Sequence, residues 1–463
     1  MKRRAVLFIL VLVLCAASAS LAEGKYTTAP DIFRINLRVE ERVNGVPKSE
    51  LPVKETKYRT YVRKEYLVTA NPIINEKAAA IVDAFDAMMS PVMKEEDKPS
   101  SIYSSRLDIE VVYTISGHTV SILVLARETY QRAQLRSLFQ TAVYDLETGD
   151  ELTLRDLFTE DSAAWEIIAK GMRAQLGEMF PSEPRNTDAI DRLAARGTLE
   201  KTGFTLSGGE LTLHFQACVI YPGKANILHV RLPYTQLSRM FTDTGKRATD
   251  NSRWKMVALT FDDGPNYTEK SAGGSRWALP LIRAAGWRVT YFIWGKNIPG
   301  APDILMAEAD NNHSMQNHSL WHPYGNEVTS AGNVIRQTAG VDELMLDVIG
   351  VRTTAFRAPF GAYVSWLRYG IDMPVIQWSI DPKDPTVKIP GTIVKRIADN
   401  IHDGAIVLLH DTRKATTASI PSIMELLRDE GYMVVTVDEL ASINGVVLEA
   451  GVVYEQIEPA VLQ

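Results

Sequence analysis

Carboxylates, imidazoles and one arginine recur in short stretches of the second half of this 463-residue chain. Thr260-Phe261-Asp262-Asp263-Gly264-Pro265 follows an apolar run. Adjacent carboxylates can point in different directions, so that one binds a metal ion while the other takes a proton from water. Asp, Gly and Pro are equally the residues of an ordinary turn. His318-Ser319-Leu320-Trp321-His322 sets two imidazoles four residues apart. On a helix that spacing puts both on one face, where they could share a metal ion, or they are two unrelated surface histidines. Only eight histidines occur in the chain, and His313, His318 and His322 fall close together. Arg357-Ala358-Pro359-Phe360-Gly361 offers a permanently charged guanidinium, suited to a buried carboxylate or to a surface ion pair. Trp378-Ser379-Ile380-Asp381-Pro382-Lys383-Asp384-Pro385 follows another apolar run. In Leu408-Leu409-His410-Asp411 a histidine closes an apolar strand, as a satisfied core histidine or as a general acid.

The elements that position these residues follow from the hydrophobic pattern. From residue 255 onward short apolar runs alternate with amphipathic segments. The spacing predicts strands at 256–261, 289–294, 355–357, 375–380, 405–409 and 433–437, with helices at 276–285, 393–401 and 420–428. Repeated βα units imply an α/β fold with a mainly parallel sheet, open or closed into a barrel. In such folds chemistry gathers at the C-terminal ends of the strands. Each stretch above should therefore lie at a strand end.

Upstream, residues 24–245 read as α+β. Leu107, Ile109, Val111 and Tyr113 alternate with polar residues and reach a turn at Ser116-Gly117-His118, a hairpin signature. Further hairpins are predicted around Glu147-Thr148-Gly149-Asp150 and at Gly208-Gly209, and helices over 76–93 and 163–179. There is no internal repeat and no low-complexity linker. The polar stretch 242–253 is the expected boundary.

Length implies two or three domains, and 46% hydrophobic with 23% charged residues suits a sizeable core. A net charge of -6 and a pI near 5.9 give no basic footprint, which argues against a nucleic-acid partner. Lys2, Arg3 and Arg4, the apolar run 5–14 and Ser20-Leu21-Ala22 have the order of a secretory signal peptide, with lipidation at Cys15 as the second reading. Signal cleavage would leave no transmembrane segment and only Cys218, expected as a buried thiol on a strand.

Taken together and in this order, the five stretches resemble a polysaccharide deacetylase of the NodB homology type, carbohydrate esterase family four. The resemblance covers residues 256–440 and implies a distorted (β/α) barrel of about seven strands. It implies that Asp263, His318 and His322 bind a divalent metal: zinc, with cobalt, nickel and manganese as alternatives. It further implies Asp262 as general base, His410 as general acid, Arg357 orienting the base and Asp384 pairing with the acid. A backbone N–H near Phe360 would serve the oxyanion and Leu408 would line the acetyl-methyl pocket. Trp321 is a candidate groove residue. The chain departs from the family at Pro385, where tryptophan is usual, and in Arg-Ala-Pro-Phe for Arg-Pro-Pro-Tyr. Residues 142–158 and 232–237 are similar to an α+β module of unknown function found upstream of some bacterial deacetylases.

The expected division is therefore a signal peptide (1–22), an α+β accessory region (23–245), a deacetylase domain (246–445) and a tail (446–463). The implied activity is secreted removal of N-acetyl groups from an N-acetylhexosamine polymer, peptidoglycan above all. The alternatives are other acetylated glycans such as chitooligomers or xylan, a small cyclic amide, and glycan binding without turnover.

Overall fold

The computed structural model describes residues 33–43, 46–48, 58–89, 103–130, 133–266 and 274–458. The expected signal peptide lies outside them. The first part is built on strands β1 (Asn36–Val43), β2 (Val46–Pro47), β3 (Tyr58–Val68), β4 (Tyr103–Ser116), β5 (Thr119–Tyr130) and β6 (Ala133–Asp145). They form one sheet in the order β2-β1-β3-β4-β5-β6, antiparallel except for the parallel pair β3–β4. Helix Pro72–Met89 buries Ile74, Ala78, Ile81, Val82, Phe85 and Met89, the three- and four-residue spacing of one helical face. That face shares a core with Leu107, Ile109, Val111 and Tyr113 of β4. A second core joins helix Ala164–Glu178 to the antiparallel sheet of β7 (Phe204–Leu206), β8 (Glu210–Gln216) and β9 (Ile227–Pro233).

From Lys255 the strands run parallel. β10 (Lys255–Gly264) pairs with β11 (Thr290–Ile293), which pairs with β12 (Ser314–Asn317). β13 (Val375–Ile376) is followed by β14 (Ala405–Leu409) and β15 (Tyr432–Val435), both pairing with β10, while β16 (Val453–Tyr454) pairs with β13. Isolated parallel bridges join Asn317 to Phe356, Phe356 to Val375 and Ile380 to Val407. Helices Ser275–Ala284, Ala331–Val348, Pro390–Ala398 and Lys414–Asp429 lie between strands.

Two cores explain why these strands read as unbroken apolar runs. Val257, Leu259 and Phe261 of β10, with Val407 and Leu409 of β14, pack with the helices' Ile282, Met345, Ile393 and Ile423. Met256 and Ala258 alternate to the other face and pack with Phe292, Ile376, Ile406 and Val435. Strands buried on both faces have no polar side to show. Thr260, Asp262, Leu408 and His410 continue the second alternation.

Besides the strand expected at 375–380, which shortens to Val375–Ile376 with an isolated bridge at Ile380, four expectations change. The hairpin at 147–150 reduces to one bridge, Tyr144 to Glu151, because Thr153 and Asp156 form a capping box that starts helix Leu154–Leu157 instead. The strand at 355–357 is a single bridged residue, Phe356. Cys218 is neither on a strand nor buried: β8 stops at Gln216, and helix Ala217–Ile220 turns the thiol to solvent. The fourth concerns the paired histidines and belongs to the site. The polar stretch 242–253 holds helix Asp243–Thr249, capped by the Thr242 hydroxyl.

Candidate metal and proton-transfer site

β10 carries Thr260, Asp262 and Asp263 to its C-terminal end. Its parallel register with β14 pairs Phe261 with Leu409, so Asp262 and His410 follow at corresponding positions. Thr260 is paired with Leu408, which is buried. All the strand-end stretches predicted to carry chemistry meet at this rim.

Asp263 Oδ1 lies 3.3 Å from His322 Nε2 and 3.7 Å from His318 Nε2. One ligand atom from each of Asp263, His318 and His322 falls within 4.8 Å of the others. The His318 Nδ1–H donates to the Arg357 carbonyl at 2.9 Å, because a carbonyl only accepts. This leaves the His318 Nε2 lone pair facing the aspartate, the arrangement seen when a second hydrogen bond orients a metal-binding imidazole. Burial, partly offset by Asp262 and Asp263, pushes the His318 pKa down and favours the neutral ring. Burial pushes Asp263 up, but the surrounding imidazoles, His322 first and then His318 and His410, hold it well below the usual carboxylate range. Asp263 Oδ1 is buried without a hydrogen-bond partner. A cation among these atoms would satisfy it, and two imidazoles with one carboxylate suit zinc or a similar divalent ion.

The two histidines are not on a helix. β12 ends at Asn317, whose side chain accepts the Ser319 N–H at 3.0 Å, and the chain turns there. Ser319 (φ 67) and His322 (φ 55) both take left-handed conformations, and the Ser319 hydroxyl accepts the His322 N–H at 3.0 Å. A loop pinned by side-chain hydrogen bonds, rather than a helical repeat, brings both rings to one aspartate.

Arg357 is fully buried. Its Nη1 donates to Asp262 Oδ1 at 2.8 Å and to Thr260 Oγ1 at 2.6 Å, while Nε and Nη2 donate to the Ile376 and Gln377 carbonyls at 3.0 and 2.9 Å. The guanidinium also stands 4.0 Å from the Phe292 ring centroid. Desolvation pushes its pKa down and Asp262 pulls it back up. The other Asp262 oxygen, Oδ2, is 3.7 Å from His318 Nε2.

Across the rim, His410 Nδ1 donates to Asp384 Oδ1 at 2.9 Å, and its backbone N–H donates to Asp384 Oδ2 at 2.9 Å. The Thr416 hydroxyl also donates to Asp384. Pro385 leaves this pairing intact. Burial pushes the imidazolium down, but the Asp384 hydrogen bond and charge, then Asp262 and Asp263, raise its pKa to about 9. A protonated imidazole thus faces a carboxylate-lined site at neutral pH. Phe360 and Trp321 lie exposed at the rim, with Phe360 edge-on to His322 at 4.5 Å.

Thr260, Trp294, Tyr324 and Thr416 escaped the sequence reading. Trp294 packs on His322 at 4.9 Å and Tyr324 stacks on Phe360 at 4.4 Å. Nothing in their residue types marks them, since their roles arise from where the fold sets them: Thr260 on β10, Thr416 on helix Lys414–Asp429, and Trp294 and Tyr324 in loops.

Residues 249–370 match the family model for polysaccharide deacetylases. The C-terminal region is a polysaccharide deacetylase domain. Enzymes of this family are hydrolases acting on carbon–nitrogen amide bonds. Asp262, Asp263, His318, His322 and Arg357 fall inside the matched segment, whereas Asp384 and His410 lie beyond it. The chain is 26% identical over 315 residues to peptidoglycan-N-acetylglucosamine deacetylase PgdA of Listeria monocytogenes, covering 66% of this chain and 65% of PgdA. It therefore spans a little under two thirds of that relative's length. It is 24% identical over 411 residues to peptidoglycan-N-acetylmuramic acid deacetylase PdaC of Bacillus subtilis, covering 82% of this chain and 86% of PdaC. A solved structure of PdaC aligns with 42% of this chain and 94% of its own, at 28% identity and a TM-score of 0.39.

Proposed function

We propose that this protein is a metal-dependent deacetylase that hydrolyses N-acetyl groups of an N-acetylhexosamine polymer, peptidoglycan above all, outside the cytoplasm. One observation carries the reading: Asp263, His318 and His322 converge beside a second carboxylate, Asp262, at the same strand ends as the charged His410. Asp263, His318 and His322 would hold the metal, with zinc the favoured ion. When bound, such an ion polarises an acetamide carbonyl and acidifies water. Asp262, fixed by Arg357, takes the proton from the attacking water. His410, fixed and kept protonated by Asp384, delivers a proton to the amine nitrogen as the C–N bond breaks, so acetate and free amine leave. A backbone N–H near Phe360 stabilises the oxyanion, Leu408 lines the methyl pocket, and Trp321 borders the groove.

The same reading extends to the architecture. The bridges Asn317–Phe356, Phe356–Val375 and Ile380–Val407 support a sheet that closes into a distorted barrel. Separate cores on either side of residue 245 support the accessory region at 23–245 and the catalytic domain at 246–445, followed by the tail 446–463. The basic and apolar start of the sequence supports export. Among the described residues no helix is long and apolar enough to cross a membrane.

The test is acetate release by the purified chain from acetylated chitooligomers and peptidoglycan, with and without a chelator. Release abolished by the chelator is expected. His318→Ala should lower bound metal, whereas Asp262→Asn should retain metal and stop turnover. Full activity in both variants would overturn these roles. Release from acetylated xylan alone would move the substrate to esters, and glycan binding without acetate would leave a binding protein.

A further inference from the structure

The turn that follows β11 touches both loops that carry the metal-binding side chains. The Trp294 N–H donates to the Gly264 carbonyl at 2.9 Å, next to Asp263. Three residues on, Asn297 Nδ2 donates to the carbonyl of Asp263 itself at 2.9 Å. Between them the Gly295 and Lys296 N–H groups donate to the Ser319 and Leu320 carbonyls at 3.1 and 3.0 Å, within the loop from His318 to His322. Glycine permits this approach, because a Cβ at Gly295 would stand 2.9 Å from Leu320 Cδ1 and 3.0 Å from Val341 Cγ2.

The two ligands that this turn reaches are the ones whose backbones need holding. Asp263 takes φ 72 and His322 φ 55, left-handed conformations that cost a residue with a Cβ and persist only where the surroundings enforce them. At Asp263 the Asn297 amide fixes the carbonyl. The ring of His318 is oriented by its hydrogen bond to the Arg357 carbonyl. The ring of His322 is seated by other rings: Trp294 packs against it at 4.9 Å, and Phe360 meets it edge-on at 4.5 Å. Groups that fix a metal ligand from behind raise affinity, because the ligand is already ordered when the ion arrives.

We propose that Asn297 and Trp294 are positioning residues that preset Asp263 and His322 for a divalent cation. Asn297 holds the Asp263 backbone, so that Oδ1 stays 3.3 Å from His322 Nε2 and 3.7 Å from His318 Nε2. Trp294 stops the His322 ring from turning away from the aspartate. Each acts through the residue it holds. The proposal rests on the reading of this cluster as the metal site, but it concerns affinity for the ion rather than turnover.

The experiment titrates the purified, metal-free chain with zinc against a chelator of known affinity, and records thermal unfolding with and without the ion. Asn297→Ala and Trp294→Leu are each expected to raise the zinc dissociation constant roughly tenfold or more. Trp294→Phe, which keeps a ring against His322, should restore the parental value. The unfolding midpoint of the metal-free variants should hardly move, while the rise that zinc produces should shrink. A lowered metal-free midpoint with unchanged zinc affinity would reduce both residues to packing and overturn the proposal. Parental affinity in both variants would overturn it even where His318→Ala abolishes zinc binding and acetate is released, and the deacetylase reading would then stand without it. Weakened zinc binding in these variants of a chain that never releases acetate would support the positioning role while refuting the deacetylase reading. A chain that binds no zinc would overturn both.

Discussion

At the scale of single residues, the pairing of His410 with Asp384 fixes when the proposed acid is charged. Burial alone would lower its pKa, yet the buried carboxylate at 2.9 Å outweighs that penalty and raises it to about 9. The imidazolium is thus present from acidic pH up to about 9 and is lost above it. Activity governed by this group should fall on the alkaline side near that value. Asp384→Asn keeps the shape but removes the charge, so the alkaline limb of kcat/KM should move down toward the ordinary imidazole range and the rate at pH 8 should drop. An unmoved limb in the pH–rate profile would mean another group governs it. The charge-bearing residues of the site were legible in the sequence, because carboxylates and imidazoles at strand ends are uncommon enough to stand out. Tyr324 and Trp294 were not, because an aromatic beside a histidine looks the same whether it packs, stacks or binds.

At the scale of elements, the parallel strands were the easiest to read. The run 405–409 was expected as a strand and is β14, because a strand buried on both faces has only apolar residues to offer. The short segment at 355–357 was over-read because a lone bridged residue leaves the same apolar trace as a strand. The loop from Ser319 to His322 was under-read because its conformation is set by the Asn317 and Ser319 side chains, which periodicity does not report. The two-faced character of β14 has a measurable consequence. Leu409 is fully buried in the helix-facing core, while Leu408 follows the face of Thr260 and Asp262. Leu409→Ala should therefore cost about 2–5 kcal/mol, read from denaturant unfolding. A cost well under 1 kcal/mol would contradict the close packing inferred for that face.

At the scale of the whole molecule, the elements before residue 245 are tied to the parallel sheet by buried charges. Arg283 of helix Ser275–Ala284 reaches Glu65 at 2.7 Å and Glu110 at 3.1 Å, with its side chain 1% exposed. Arg127 of β5 reaches Asp310 at 3.4 Å, and Arg288 bridges Glu210 and Glu439 at 2.8 and 3.0 Å. The Tyr113 hydroxyl donates to the Ala284 carbonyl at 2.9 Å. Buried ions of this kind add little when complete but are costly to break, because the remaining partner keeps its desolvation penalty. Arg283→Ala removes the guanidinium shared by Glu65 and Glu110, which keep Arg63 and Arg127 as partners, and should destabilise the chain by about 3 kcal/mol, the lower end for a broken buried pair. Glu110 also gives the effect a pH signature. Burial pushes its pKa up, but Arg283 and Arg127 pull it down to about 2. Its contribution is present above the ordinary glutamate value and is lost as pH falls toward 2. Removing Arg283 should weaken that dependence, so the variant should lose less stability than the parent between pH 6 and pH 3. Tryptophan fluorescence reports mainly on the later half, which holds seven of the eight tryptophans, and far-ultraviolet circular dichroism reports on both halves. If the buried charges join the halves energetically, both signals should fall in one transition and shift together in the variant. A fluorescence transition that stays in place while the dichroism moves would show that the halves unfold independently.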